Sequence, residues 1–271
     1  IEDIVLGLRE LPELPIGGDV GRVTFKADAV NDYCEHIIKS APNKLDGINI
    51  AIDCANGSAS VTAANIFKTL GANVHILNAS PDGQNINRAC GSTHMEALTQ
   101  YVIDNKLDAG VAFDGDSDRC LCVDENGACV DGDEIMAICA VDLKERGKLV
   151  KDTAVGTIMT NFGFTRFCEA NGIRFVATKV GDRFVLEEML IDGTVLGGEQ
   201  SGHIIFRDFA TTGDGQLTAV QLLSLLCRKK EKLSTLASVM KKCPQTIINL
   251  RVSADGKVRY YTDETIKAAV Q

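Results

Sequence analysis

The 271-residue sequence contains neither a long run of basic residues nor a long run of apolar ones. Its longest basic run is RKK at 228–230 and its formal net charge is −9, which argues against a nucleic acid as the main partner. The longest apolar stretch, LTAVQLLSLLC at 217–227, is well short of the roughly 20 residues that a membrane helix needs. We therefore expect a soluble protein that binds neither nucleic acid nor membrane.

CxxC spacing and a secretory signal are also absent, although the sequence has ten cysteines. The cysteines lie singly inside apolar runs, as at Cys54 and Cys168, and a chain of this length does not need disulfides for stability. We interpret most of them as small buried hydrophobic residues of a cytoplasmic protein. Cys120 and Cys122 could bind a soft metal ion, but the neighbouring potential ligands are carboxylate oxygens, which such ions do not prefer. We therefore favour the interpretation that both cysteines lie in the core of a strand.

Strands and helices alternate along the chain in two similar series. Predicted strands lie at 48–55, 73–78 and 109–114 in the first series and at 154–159, 173–178 and 194–200 in the second. A β-α-β-α-β order is typical of a parallel sheet flanked by helices. The predicted fold class is therefore α/β, with two successive β-α-β-α-β domains whose sheets are mixed and mainly parallel.

A hairpin with its turn at Asn126 and Gly127, and then a helix from Asp133 to Arg146, separate the two series. The polar stretch at 147–152 predicts the domain boundary, which gives a first domain at 1–148 and a second at 149–243. A third, incomplete piece at 244–271 begins with a predicted strand at 246–253. Because the chain starts without methionine and stops within a helical pattern, we expect it to be part of a longer protein.

The most unusual stretch is FDGDSDR at 113–119, which follows a predicted buried strand. Its carboxylates, on Asp114, Asp116 and Asp118, stand at alternate positions, so in an extended or turning segment they can converge on one side. Two carboxylates about 4 Å apart repel each other by roughly 1 kcal/mol in water and by about 4 kcal/mol at an effective dielectric constant of about 20. A positive group is therefore expected among them.

Three interpretations of this motif compete with a simple solvated turn. A calcium loop of the EF-hand type fits the three aspartates and Glu125, but it requires glycine where Arg119 stands and helices where strands are predicted. A haloacid-dehalogenase-like phosphatase would use Asp114 as nucleophile and Asp116 as its partner, but it prefers Thr or Val at position 118. A Mg²⁺ site for phosphoryl transfer fits the hard carboxylate oxygens and the adjacent guanidinium of Arg119.

The second series also ends its third strand in a polar motif, EQSGH at 199–203, and ligands of open parallel sheets bind beyond the carboxyl ends of strands. The two motifs are therefore expected to face one cleft.

Together with four other motifs, these two resemble motifs of the α-D-phosphohexomutase family, and all six occur in the order in which that family has them. The six motifs are DCANGSAS at 53–60, GQNINRACGSTH at 83–94, FDGDSDR at 113–119, TKVGDRFV at 178–185, GGEQSGH at 197–203 and TTGDG at 211–215.

The resemblance implies a reaction and a set of missing parts. Members of the family interconvert a hexose 6-phosphate and its 1-phosphate through a 1,6-bisphosphate, using a phosphoserine and Mg²⁺. Four domains supply, in order, the phosphoserine, the metal loop, the sugar loop and the phosphate loop, and this chain resembles the second, the third and the start of the fourth. The implied partners are a sugar phosphate and the first and fourth domains of the same chain. A homodimer is a further possibility. The chain alone is expected to be inactive.

Position by position, Asp114, Asp116 and Asp118 resemble the Mg²⁺ ligands, with the phosphoserine oxygen as a further ligand. Arg119 resembles the residue that orients the phosphate beside the metal.

Glu199, Ser201 and His203 resemble the loop that binds sugar hydroxyls. Lys179 is implied to be catalytic. Asp182 is either a substrate-binding residue or the N-cap of a helix.

Three other residues bear on the identity of the substrate and on the composition of the site. His94, at a predicted helix start, is a further candidate, and Phe184 replaces the tyrosine usual in the family. Gln200 favours glucosamine phosphate as the substrate. The alternatives are a phosphomannomutase or phosphoglucomutase and, outside the family, the DxD phosphatase.

Overall fold

The structure, a computed structural model, describes residues 2–246, 248 and 251–270. A short helix, α1 (Glu2–Val5), and a largely irregular segment up to residue 28 precede the first sheet unit. That unit contains, in chain order, α2 (Ala29–Ser40), β1 (Asn49–Asp53), α3 (Ala63–Thr69), β2 (Asn73–Leu77), α4 (Glu96–Asn105), β3 (Ala109–Phe113), β4 (Cys120–Asp124) and β5 (Cys129–Val130).

The strands of the first sheet lie in the order β2-β1-β3-β4-β5. Strand β1 is parallel to β2 and β3, whereas β4 is antiparallel to both β3 and β5. Strand β3 is buried over its whole length, which explains why AGVAF shows no alternation of apolar and polar residues. The predicted hairpin turn is closed by Asp124, whose Oδ1 accepts from the N–H groups of Asn126 and Ala128 at 2.8 Å.

The second unit repeats this plan with a four-stranded sheet in the order β7-β6-β8-β9. Its elements are α5 (Gly132–Glu145), β6 (Thr153–Thr157), α6 (Phe162–Ala170), β7 (Arg174–Thr178), α7 (Asp182–Asp192), β8 (Leu196–Gly198), β9 (Ile204–Phe206), α8 (Gly215–Lys229) and α9 (Leu233–Ala237). Strand β6 is parallel to β7 and β8, and β9 is antiparallel to β8. Two mixed sheets flanked by helices confirm the predicted fold class.

Helix α5 begins with the reciprocal hydrogen bonds of a capping box. The Asp131 carboxylate accepts from the Glu134 N–H at 3.2 Å, and the Glu134 carboxylate accepts from the Asp131 N–H at 3.0 Å. Although α5 precedes β6 in the sequence, it packs against β8 and against α6, α8 and α9. The N-terminal end of this helix therefore lies beside the motif that follows β8.

Helix α8 connects the two units, because it packs against α2, β3 and β4 of the first unit as well as against β9 of the second. Its Gln216 exchanges hydrogen bonds of 2.8 and 2.9 Å with Thr62, and its Gln221 donates to the Ser40 carbonyl at 2.9 Å. One buried apolar cluster runs through both units, from Cys34 to Met240. Helix α8 of the second unit thus packs on both sheets, and the cores of the two units are continuous.

The two ends of the chain lie outside this core. Large apolar side chains before α2 are exposed, among them Leu8, Val23 and Phe25. The strand predicted at 246–253 includes 247, 249 and 250, which lie outside the described residues, and its other residues are not assigned to a strand. They are followed by α10 (Ala254–Thr262) and α11 (Glu264–Val270). Among the helices of the described residues, none combines the length and the apolar character needed to span a membrane.

Asp133, in the first turn of α5, has a buried carboxylate that binds the backbone at the start of α6. Its Oδ2 accepts from the Asn161 N–H at 2.7 Å, whereas its Oδ1 has no hydrogen-bond partner among the described residues. Burial is the main cause that raises the pKa of Asp133 from 3.8 to about 7, and the neighbouring charges of Asp131 and Glu134 act in the same direction. The hydrogen bond from Asn161 and the charge of Lys242 oppose the shift.

This shift makes the free energy of unfolding depend on pH. Since the pKa of Asp133 is higher in the folded state, that state binds the proton more tightly, and stability should fall as pH rises from about 4 to about 7. In Asp133→Asn, urea unfolding should show a smaller drop in stability between pH 5 and pH 8, by about 2 kcal/mol. Asp104→Asn, an exposed change on α4, is the matched control, and an unchanged drop in Asp133→Asn would contradict the assignment.

Candidate functional site

The FDGDSDR loop connects β3 to β4 and reverses the chain between two antiparallel strands. Carboxylate oxygens of Asp114, Asp116 and Asp118 all lie within 4.8 Å of one another. Asp114 is buried, Asp116 is exposed and Asp118 is intermediate, so the group forms a cluster that is open on one side. The sequence pattern thus produces the convergence that alternate positions predict.

The strands on both sides of this loop exclude an EF-hand, which requires flanking helices. Glu125, the other acidic residue of that interpretation, does not join the cluster. It accepts hydrogen bonds from the backbone and the hydroxyl of Ser234 instead.

Repulsion and burial both act on the protonation of the cluster. Burial is the main cause that raises the pKa of Asp114 from 3.8 to about 6, followed by the negative charge of Asp118. The Arg119 N–H, which donates to Asp114 Oδ1 at 3.2 Å, opposes this shift. The guanidinium Nε of Arg119 lies 3.7 Å from oxygens of both Asp114 and Asp118, so it compensates the negative charge only in part.

One oxygen of the cluster has only a distant positive partner, since Arg119 Nε lies 3.7 Å from Asp118 Oδ1. Asp118 Oδ1 is buried and accepts no hydrogen bond among the described residues. A buried carboxylate oxygen without a donor is costly unless a cation binds it. Three carboxylates with one such oxygen fit a hard divalent cation, because its preferred ligands are oxygens.

The structure brings His203 to this loop from the turn between β8 and β9. Its side chain is buried, its Nδ1 lies 3.1 Å from Asp118 Oδ2, and its Nε2 lies 3.0 Å from the backbone nitrogen of Gly213. Since an N–H can only donate, Nε2 of the neutral ring must accept, and Nδ1 carries the proton donated to Asp118. Both ring nitrogens therefore bind groups of the protein itself, whereas the motif had indicated a contact with sugar hydroxyls.

The rest of the EQSGH motif packs directly against the elements around the metal loop. Gly202 accepts from the Cys120 N–H at 3.0 Å, and Gln200 accepts from the Gly132 N–H at 3.0 Å through its backbone carbonyl. Gly202 has a φ of +96°, and a Cβ at this position would lie 2.4 Å from the Cys120 carbonyl oxygen. Glycine is therefore required for the close approach of the two motifs.

Glu199 and Lys179 lie at the same edge of the second sheet. Glu199 Oε1 accepts from the Gly181 N–H at 3.0 Å, which joins the EQSGH motif to the loop after β7. The ammonium of Lys179 lies 5.6 Å from the centre of the Phe184 ring, within the range of a cation–π contact. Gly181 occupies the N-cap of α7 and Asp182 is its first residue, so the interpretation of Asp182 as the N-cap was wrong.

The remaining sequence candidates lie in different surroundings. Ser201 is exposed at the tip of its turn. His94 is exposed two residues before α4, with Nδ1 3.1 Å from the Thr93 hydroxyl. The sulfur atoms of Cys120 and Cys122 are buried 3.9 Å apart, and their mutual hydrogen bond, together with burial, raises the pKa of the Cys120 thiol well above its ordinary value. A protonated thiol is a poor metal ligand, which agrees with a strand-core role.

Sequence reasoning gave no role to TTGDG at 211–215, yet this segment supports both motifs. Gly213 binds His203, and the Gly215 N–H donates to the Ser117 carbonyl at 2.8 Å. Asp214 caps α8 by accepting from the Leu217 N–H at 2.9 Å. The available signal was an aspartate between glycines directly before a long apolar helix, which is typical of a helix start.

A cavity of about 500 Å³ opens between this segment, the start of α2 and the metal loop. Its lining includes Tyr33, Ser58, Asp116, Asp118 and Asp214. The Tyr33 hydroxyl donates to Asp214 at 3.0 Å, and burial is the main cause that raises the pKa of Asp214. Two of the clustered carboxylates therefore border a space large enough for a small polar ligand.

Comparisons with known proteins agree with this architecture. The profile described as "Phosphoglucomutase/phosphomannomutase, alpha/beta/alpha domain II" matches residues 31–127, and the profile for domain III matches residues 131–243. A phosphoglucosamine mutase from Clostridium botulinum (strain Eklund 17B / Type B) is 51% identical over 257 residues, which are 95% of this chain and 58% of that protein. One from Acetivibrio thermocellus is 50% identical over 266 residues, with 98% and 59% covered.

Two solved structures share the fold at low sequence identity. A phosphoglucomutase/phosphomannomutase family protein from Burkholderia thailandensis has a TM-score of 0.69 and 23% identity, over 80% of this chain and 47% of that one. The N-acetylphosphoglucosamine mutase of Aspergillus fumigatus, in complex with GlcNAc-6P and magnesium, has a TM-score of 0.64 and 17% identity, over 82% and 52%.

The chain spans less than three fifths of the length of both curated relatives. The two profiles together match most of the chain, and these relatives share about half of its residues in the aligned regions. The chain therefore belongs to the phosphoglucomutase/phosphomannomutase family, and it contains domains II and III of that family.

Proposed function

We propose that this chain is the central part of a phosphoglucosamine mutase. The whole protein would interconvert glucosamine 6-phosphate and glucosamine 1-phosphate through a phosphoserine and a 1,6-bisphosphate. The observation that carries the proposal is the cluster of Asp114, Asp116 and Asp118, in which a buried Asp118 oxygen accepts no hydrogen bond among the described residues. The names of the two relatives at about half identity support the choice of substrate. Ten free cysteines are in keeping with a cytoplasmic enzyme.

In this proposal the three aspartates hold one Mg²⁺. When bound, the ion neutralises negative charge on the transferring phosphoryl group and aligns it. Arg119 is suited to the neighbouring phosphate oxygens, because its guanidinium is partly exposed and offers several donors in one plane. The phosphoserine would come from the part of the protein that precedes these domains.

Recognition of the sugar is assigned to the second unit. The Glu199 carboxylate is held in place by the Gly181 N–H and is suited to accept from a sugar hydroxyl. Ser201 is exposed beside it and can donate or accept. Lys179 and Asp182 flank the same edge, and the ammonium of Lys179 would attract the substrate phosphate.

The geometry changes the role proposed for His203. Because both of its ring nitrogens bind protein groups, we assign it to the orientation of Asp118 rather than to a sugar hydroxyl. A histidine that fixes the orientation of a metal-binding carboxylate is a common arrangement around metal sites.

The first prediction concerns the metal. This chain should bind Mg²⁺ weakly, because the three carboxylates are present but the phosphoserine oxygen is not. In a competition titration against Mn²⁺ followed by EPR, Asp116→Asn should weaken binding at least tenfold. Asp104→Asn, an exposed carboxylate on α4 that accepts from Gln100, is the control and should bind like wild type. Equal binding by wild type and Asp116→Asn would disprove the metal assignment.

The second prediction concerns the whole protein. Asp114→Ala or Asp118→Ala should lower kcat by about a hundredfold or more, because they remove groups that act on the charge of the transition state. Glu199→Ala should mainly raise KM, because hydroxyl contacts form in the ground state as well as in the transition state. Steady-state kinetics with glucosamine, mannose and glucose 6-phosphates would test both effects. An unchanged KM and unchanged preference in Glu199→Ala would disprove the assignment of the sugar loop.

The third prediction concerns this chain without the rest of the protein. A coupled assay with glucosamine 6-phosphate, Mg²⁺ and a catalytic amount of 1,6-bisphosphate should show no turnover, because the phosphoryl donor lies elsewhere. Turnover above the blank would contradict this placement of the nucleophile. Steady release of inorganic phosphate would instead support a phosphatase with Asp114 as nucleophile.

A further inference from the structure

The residue between the second and third carboxylates of the metal loop has an unusual backbone. Ser117 is buried and has a φ of +62°, in the left-handed region. This conformation is unfavourable for a residue with a Cβ, and it persists only where the surroundings hold it. The contacts of Ser117 therefore show what holds the loop in shape.

The hydroxyl of Ser117 connects the loop to the turn that follows β1. Its Oγ accepts from the Ala59 N–H at 3.1 Å and from the Ser58 hydroxyl at 3.0 Å, and it can donate to the Asp114 carbonyl at 3.4 Å. The turn lies very close to the loop, since a Cβ on Gly57 would be 2.1 Å from the Gly115 carbonyl oxygen. The side chain of Ser117 thus uses the full hydrogen-bonding capacity of a hydroxyl.

The backbone of Ser117 is held from two further directions. Its N–H donates to the Asp114 carbonyl at 3.1 Å, within the loop. Its carbonyl accepts from the N–H of Gly215, the first residue of α8, at 2.8 Å. The partners outside the loop come from both units of the fold, so the position of Ser117 depends on how the two units meet.

We infer that Ser117 is a positioning residue for the metal ligands, whose hydroxyl anchors the loop so that Asp116 and Asp118 turn to the same side. The inference rests on the proposed metal-binding function of the loop. A rotation of the backbone at Ser117 changes the direction of both neighbouring carboxylates, because they are its immediate neighbours in the chain. The anchor belongs to the serine side chain, which Ala or Gly at this position would lack.

The test is Mn²⁺ binding to this chain, followed by EPR, with Mg²⁺ as the competitor. Ser117→Ala should weaken binding of both ions about tenfold, the usual effect of removing a group that orients a metal ligand. The matched control is Ser60→Ala in the same turn. The Ser60 hydroxyl is buried but has no hydrogen-bond partner among the described residues, so its removal should leave binding unchanged.

Two further variants separate positioning from a general effect on folding. Ser117→Gly also lacks the hydroxyl but accepts a positive φ without strain, so it should bind as weakly as Ser117→Ala while melting at a higher temperature than that variant. Ser58→Ala removes only one hydrogen bond to Ser117 and should have a smaller effect on affinity. Combined with Ser117→Ala, it should add little, because both changes break the same contact.

The outcomes distinguish this inference from the function on which it rests. If Asp116→Asn loses binding while Ser117→Ala and Ser117→Gly bind like wild type, the inference is wrong and the metal assignment stands. If Asp116→Asn binds like wild type, both are wrong. Should Ser117→Ala fail to fold, Ser58→Ala and Ser117→Gly decide the question, and normal affinity in both would overturn the inference.

Discussion

Mutual repulsion of three carboxylates, held within 4.8 Å of one another between β3 and β4, is the constraint to which the surrounding structure responds. Arg119 Nε lies 3.7 Å from oxygens of Asp114 and Asp118 and compensates their charge only in part, and the pKa of Asp114 is raised to about 6 by burial and by the charge of Asp118. Such a loop would relax by turning its side chains apart unless other groups held it. The structure supplies these groups from three separate segments: the turn after β1, His203, and the start of α8.

These supporting segments depend on the packing of α8 across both units. Helix α8 belongs to the second unit but also packs on β3 and β4 of the first sheet. Because one apolar cluster runs through both units, a shift between the sheets would disturb buried contacts as well as the loop. Continuity of the core thus gives the polar site a rigid base, in the manner expected of preorganised sites.

The recurring strand and helix patterns predicted the α/β class because periodicity reports burial on one or both faces of each element. The same reasoning located the acidic loop, because three aspartates at alternate positions directly after a buried strand can converge on one side. It assigned His203 of EQSGH to a sugar contact, whereas in the structure its ring nitrogens lie against Asp118 and Gly213. Of the two alternatives left open for Asp182, the structure excludes the N-cap, because Gly181 takes that position at the start of α7.

By itself the sequence determined which segments become strands and helices, which carboxylates lie on one loop, and to which family the six motifs point. These properties follow from local spacing and from residue chemistry. Only the tertiary structure decided that Gly213 binds His203, that Gly215 binds Ser117 and that the turn at 58–59 binds the Ser117 hydroxyl. Such contacts join residues far apart in the chain, and their formation depends on the packing of α8 against the first sheet, which no local pattern specifies.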